Sequence, residues 1–456
     1  MKADRKMKVG WIVLGKTQDS PYVDQWGLMK SEKDLQNEYD NIKQEIDRLE
    51  RETDFVFFGG DIVRNTKEVL DLAKKYSVSD VLIVYGVSGA GTRKLLNSLT
   101  TYGIPLIFFN KIEEERLYGH ALYQQWYQRD AVEEFTEVDL IINDYDELLG
   151  KLRAHRACKR LEESKVLCIG EPNDFFKGGL AARAAVDMFR PAIDYMSFET
   201  FQERLEEKDL NEEEVVRVRD RFIDNADSLA SDIDEETGLE SARVYVVLKN
   251  LIQEKGYDAI TINCLSGILN LIGVTPCLAF QKLRDEGIPA VCEADIPQLV
   301  TTIILRNIAD KPTFINDPVI VPFEDKVIVA HCTAPTRMHG FDEEPANYDA
   351  LLHHETKLGL APSVKFEEGQ KVTLAGISHD FNEMIASEGL IERNTDYHIC
   401  ISQAEVKVDN AEFLFDNFQG FHWVMVYGDW MDELKKACDL LGVKLRFANE
   451  AKERAH

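Results

Sequence analysis

The chain has 456 residues, 45% of them hydrophobic, and carries 81 acidic against 53 basic side chains for a formal net charge of −28. That length exceeds what one compact core organises, so two or three domains are expected. The acidic field repels phosphate backbones and argues against a nucleic-acid partner. No apolar stretch approaches the roughly 18 residues needed to span a bilayer. The run Val9–Leu14 behind the basic N-terminus is too short for a signal segment, so a cytoplasmic protein without a membrane partner is expected.

The first third alternates strand and helix. Val9–Leu14, Asp54–Phe58 (ending in Gly59-Gly60), Asp80–Tyr85 and Gly103–Phe109 read as strands, and Asp34–Arg51, with Leu35, Ile42, Ile46 and Leu49 at helical spacing, and Lys67–Lys75 as helices. Near-continuous apolar strands between amphipathic helices predict a parallel sheet covered on both faces. The glycine-rich turn Gly86-Val-Ser-Gly-Ala-Gly91 lacks the spacing and the acidic partner of a dinucleotide fingerprint, and reads as a plain turn. The charged helical segment Asp146–Ser164 leads to a second strand series, Ser164–Ile169, Ala192–Met196, Asp258–Ile262 and Ile288–Cys292, with helices expected over 177–189, 199–223, 239–255 and 275–286.

After Pro312 short β-rich pieces dominate: Thr313–Asn316, Lys326–His331, Gln370–Ala375, Asp396–Ser402 and Phe421–Tyr427, with a closing helix Met431–Leu441. The expected fold is therefore α/β, with two doubly wound parallel-sheet domains followed by a β-rich, antiparallel barrel-like or sandwich domain. The domains are placed at residues 1–155, 156–309 and 310–456. Eight scattered cysteines form no CxxC pair, which fits free thiols in a reducing compartment and no structural zinc. Two of them, Cys292 and Cys332, adjoin candidate site residues, where packing and a reactive thiol are both open.

Four residues stand out as a chemical site. Glu293, in Val291-Cys-Glu-Ala-Asp-Ile-Pro-Gln298, follows a strand at the end where open α/β sheets keep their ligands. Glu293 or Asp295 could instead serve the N-terminus of the helix that follows. Asp317 lies in Phe314-Ile-Asn-Asp-Pro318, which also suits a local Asx turn. His331 ends an apolar strand, and His422 opens another, where an unpaired imidazole is costly to bury. His353-His354 reads as a polar loop that contacts solvent or substrate. Two carboxylates with one or two imidazoles make a mixed oxygen/nitrogen set, suited to Mn²⁺, or to Co²⁺ or Mg²⁺, better than to structural zinc.

At these segments, Cys292-Glu-Ala-Asp295, Phe314-Ile-Asn-Asp317, Ala330-His-Cys-Thr-Ala-Pro335 and Phe421-His-Trp…Tyr427-Gly-Asp429, the chain resembles the L-fucose isomerase/L-arabinose isomerase superfamily. The resemblance covers the second half of the chain and is only architectural in the first. It implies a metal-dependent aldose–ketose isomerase acting on a pentose or 6-deoxyhexose. It implies Glu293 and Asp317 as ligands that also handle the proton, His422 as the completing ligand, and His331 as a further ligand in the arabinose branch. It also implies a homo-oligomer, commonly a hexamer, whose sites are completed by a neighbouring subunit. Another metal enzyme on this scaffold (an epimerase, or an isomerase of an acidic or modified sugar) and a non-catalytic sugar-binding protein are the alternatives. Arg337 and Lys357 are the cations weighed for an anionic substituent, with plain surface placement as the other reading of each.

Overall fold

The computed structural model describes residues 6–15, 17, 31–87, 92–111, 138–207, 210–268 and 272–447. The chain divides into two compact units, 3–152 and 153–456.

In the first unit, β1 (Lys8–Leu14), β2 (Val56–Val63), β3 (Val81–Gly86), β4 (Leu106–Asn110) and β5 (Val138–Ile142) form a parallel sheet of order β2-β1-β3-β4-β5. The helix Glu32–Glu52 begins at a capping box between Ser31 and Asp34 and buries Leu35, Ile42, Ile46 and Leu49, the apolar stripe read from the sequence. Contrary to the sequence reading, β2 does not stop at Gly59-Gly60. It continues to Val63 through a register shift opposite Trp11 and Ile12, and the two glycines at φ 110° and 83° supply the backbone freedom for that shift. The glycine-rich turn continues into residues 88–91, which lie outside the described residues.

The second unit contains a parallel sheet and a barrel. β6 (Lys165–Ile169), β7 (Ala192–Met196), β9 (Ala259–Ile262) and β10 (Ala290–Cys292) make the sheet in the order β10-β9-β6-β7. Helices Gly178–Phe189, Phe198–Leu205, Glu212–Asp224, Glu235–Lys255 and Cys277–Asp285 accompany it. The single helix expected over 199–223 is two, because Asn211 caps a new start by accepting a bond from the Glu214 amide. The short β8 (Ser228–Leu229) joins β13 (Tyr348–Leu352) and β14 (Leu360–Val364) in a small separate sheet.

Six antiparallel strands close the barrel: β11 (Phe314–Val321), β12 (Lys326–His331), β15 (Lys371–Ile377), β16 (Glu383–Asn394), β17 (Ser402–Val408) and β18 (Trp423–Tyr427). Their order is β15-β18-β11-β12-β17-β16, and β16 pairs back onto β15, which removes the free edges. β19 (Lys444–Phe447) adds to β16 in parallel. The expected strand Asp396–Ser402 is a loop, and the true strand starts where the expected one ends. The Gln403 side chain holds that loop, accepting from the Tyr397 amide and donating to the carbonyls of Tyr397 and Cys400. Sheet and barrel share one hydrophobic cluster, in which Leu167, Ile260 and Leu278 pack with Phe314, Val329 and Trp423.

Candidate metal centre

Strand register assembles most of the site. β11 pairs with β18 through Asn316↔Trp423 and with β12 through Asp317↔Ala330. Continuing those registers by one residue places His422 opposite Asp317 on one side and His331 opposite its neighbour Asn316 on the other. All three therefore sit at one end of the barrel. Asp317 is inside a strand and not in an Asx turn, since β11 runs on through Pro318 to Val321. Pro318 is tolerated because β18 pairs with β11 only as far as Asn316, which leaves the proline with one partner strand.

Glu293 comes from the carboxyl end of β10. It and Ala294 have φ of 61° and 51°, two successive non-glycine residues in the left-handed region, which costs about 1–2 kcal/mol per residue. The bend is fixed by the Ala294 amide on the Ile262 carbonyl (3.0 Å) and by the helix Ile296–Ala309 that starts directly after it. A glycine would relieve the strain but would carry no carboxylate. Asp295 is the N-cap of that helix, with Oδ1 accepting from the Gln298 amide at 3.1 Å. Its Oδ2 meets His422 Nδ1 at 2.9 Å, and both residues are almost fully buried. The helix-capping role weighed for Glu293 or Asp295 thus falls to Asp295, which also orients the imidazole. Gly420, at φ 72°, leads the chain into His422 where a Cβ would come within 2.6 Å of Gln298 Nε2 and 2.9 Å of the Ile377 carbonyl.

His422 Nε2 lies 3.5 Å from Asp317 Oδ1 and 3.8 Å from Glu293 Oε1. One donor atom each from Glu293, His331 and His422 lies within 4.8 Å of the others, and the two imidazole rings are 5.5 Å apart. Among the described residues, buried His422 Nε2 and His331 Nδ1 have no hydrogen-bond partner. Two buried imidazoles beside two carboxylates, with His422 Nε2 near both, fit a divalent cation of the mixed oxygen/nitrogen type.

Burial pushes the Glu293 carboxyl up from its ordinary range, and the negative charges of Asp317, Asp295 and Glu355 add to that against the pull of His422. Burial likewise raises Asp317. His422 is pushed up to about 9: burial opposes the charged ring, but the Asp295 carboxylate, with Asp317 and Glu293, outweighs it. Burial drives His331 well below its usual value, and His422 and Arg284 reinforce the shift. His331 is therefore held neutral, the form that ligates.

Cys292 and Cys332 are both buried; Cys332 packs with Cys277 and Ala361, and Cys292 lies 3.8 Å from an Arg284 Nη2. His353, expected in a polar loop, is buried and interacts through Nδ1 with Thr356, whereas His354 stacks edge-on with His398 at 5.0 Å. Arg337 donates to the carbonyls of Phe341 and Glu343 and so serves its own loop, while Lys357 is exposed. Sequence reasoning missed Cys400, whose Sγ is 3.9 Å from Asp317 Oδ2, because it lies in the loop taken for a strand.

Fold and site together define a two-unit α/β protein with a carboxylate–imidazole centre where a parallel-sheet strand meets a closed barrel. No family profile matches the chain. It is similar to the sulfoquinovose isomerases of Priestia aryabhattai and Priestia megaterium, each 22% identical over 311 residues, or 66% of this chain and 68% of theirs. It is also similar to that of a Clostridium species, 22% identical over 310 residues, or 64% of this chain and 66% of that one. Among solved structures, a XylFII-LytSN complex aligns at 14% identity over 67% of this chain and 93% of that one, but with a TM-score of 0.18 it carries no argument. Among the described residues, no helix is long and apolar enough to cross a membrane.

Proposed function

We propose that the protein is a metal-dependent aldose–ketose isomerase whose centre is formed by Glu293, Asp317, His331 and His422. The observation that carries this reading is the convergence of His422 Nε2 on Glu293 and Asp317, two carboxylates of raised proton affinity, with a His331 ring nitrogen within 4.8 Å of the Glu293 and His422 donor atoms. The isomerase names of the relatives support the reaction class.

Interconverting an aldose and a ketose moves a proton between C2 and C1 through an ene-diol. A divalent cation held by Glu293, Asp317, His331 and His422 would supply Lewis-acid polarisation of the sugar carbonyl. Glu293 and Asp317 provide the basic and acidic groups for the transfer, one at carbon and the other at O1/O2. Burial raises the proton affinity of both, which offsets part of the basicity that ligation to a cation would take away. Asp295 fixes the His422 ring so that Nε2, not Nδ1, faces the centre.

The first substrate proposed is sulfoquinovose, on the relatives' names; a pentose or 6-deoxyhexose of the L-fucose/L-arabinose type is the second, on the motif resemblance. Mn²⁺ is the proposed native cation, with Co²⁺ and Mg²⁺ as substitutes. A cytoplasmic homo-oligomer, checked by light scattering, completes the reading. Dialysis against EDTA is expected to abolish ketose formation from the preferred aldose, and Mn²⁺ to restore it fully. Turnover unchanged after EDTA treatment contradicts the assignment.

A further inference from the structure

Arg284 bonds the segments next to Glu293 and His331 but is not itself part of the centre. It lies at the end of the helix Cys277–Asp285 and is 3% exposed. Among the described residues its guanidinium has no carboxylate partner, an expensive state for a buried cation. Its donors are instead spent on two chain segments. Nε donates to the Ala290 carbonyl at 2.7 Å, Nη2 lies 3.8 Å from Cys292 Sγ, and Nη1 donates to the Thr333 carbonyl at 2.8 Å. Ala290 and Cys292 belong to β10, whose next residue is Glu293. Thr333 follows β12, two residues after His331.

We infer that Arg284 is a positioning residue that sets the span between Glu293 and His331, and so the geometry of the cation-binding centre. The planar guanidinium fixes the relative position of the two segments in a way a lysine ammonium does not reproduce. The Thr333 hydroxyl, donating to the Cys277 carbonyl at 2.8 Å, ties the same junction but leaves β10 untouched, whereas Arg284 bonds both segments. The inference rests on the metal-centre reading above.

The test compares Arg284→Lys and Arg284→Gln with Arg156→Lys. Arg156 is also a buried arginine bound to carbonyls, those of Asn307 and Ile308, and serves as the control. Mn²⁺ alone is titrated by calorimetry, and imidazole ¹⁵N resonances are recorded without metal. The expected result is that both Arg284 variants bind Mn²⁺ at least about tenfold more weakly, the usual loss when an outer-shell group is removed. The His331 resonances shift in both Arg284 variants but not in Arg156→Lys, which stays within about twofold of the parent affinity. Unmoved His331 resonances in the Arg284 variants overturn the inference, as do equal losses in all three variants. Failure of both Arg284 variants to fold beside a folded Arg156→Lys also overturns it, because it marks a scaffold role alone. If the parent itself binds no Mn²⁺, the metal reading falls, and the His331 resonances still decide the role of Arg284.

Discussion

Glu293→Gln lowers turnover by about 10³-fold or more at saturating Mn²⁺ while leaving the fold intact. The amide keeps the length, the Cβ and the left-handed backbone of the glutamate, so the strained bend after β10 is unchanged. What is lost is a proton-accepting group in a buried position, and positioned acid–base groups contribute roughly 10²–10⁴-fold. A neutral amide oxygen is also a weaker ligand than a carboxylate, which adds to the loss. Stability does not fall, because burial and the neighbouring Asp317 both disfavour the charge that the substitution removes. Steady-state kinetics beside a thermal melt checks this; activity within tenfold of the parent at an unchanged melting temperature removes Glu293 from the chemistry.

Asp295→Ala is the most damaging single change expected for the fold around the centre. It deletes the cap of the helix Ile296–Ala309, worth about 1 kcal/mol. It also leaves the buried His422 Nδ1 without its partner, a cost of about 1–3 kcal/mol. The sum, about 2–4 kcal/mol, is a large share of a typical folding free energy. Asp295→Asn separates the two roles. Its side-chain oxygen still accepts from the Gln298 amide, but the charge that holds the imidazole is gone. Asn is therefore expected to lose less than about 2 kcal/mol by urea denaturation, yet to bind Mn²⁺ about 10–100-fold more weakly. Parent-like Mn²⁺ affinity in both variants contradicts an orienting role for Asp295.

The alternation of apolar strands with amphipathic helices made both parallel sheets legible, since that periodicity is a local property. Leu35, Ile42, Ile46 and Leu49 were read as a buried stripe and are one. The barrel was legible as a class but not strand by strand. Glu383–Asn394 mixes Ala, Ser, Gly and Glu with only partial alternation, because it bends and pairs with three other strands. Likewise Glu293, Asp317, His331 and His422 could each be named from their flanks, but their convergence came only from the family resemblance, since it depends on register between strands far apart in sequence. The second carboxylate of Cys-Glu-Ala-Asp was legible as a helix cap. Its bond to His422, 127 positions away, was not. Arg284 gave no local signal either, since its partners are backbone carbonyls brought together only by the fold.

The central claim is that these four side chains serve proton transfer between C1 and C2 of a sugar. Deuterium incorporation from D₂O, followed by NMR for sulfoquinovose and for pentose and 6-deoxyhexose aldoses and ketoses, tests it most directly. The account predicts label at C2 of the aldose or C1 of the ketose with interconversion, dependent on Mn²⁺, suppressed by EDTA and absent in Glu293→Gln. Ketose formation that survives EDTA, or no exchange with any of these sugars by a Mn²⁺-loaded protein, would contradict it.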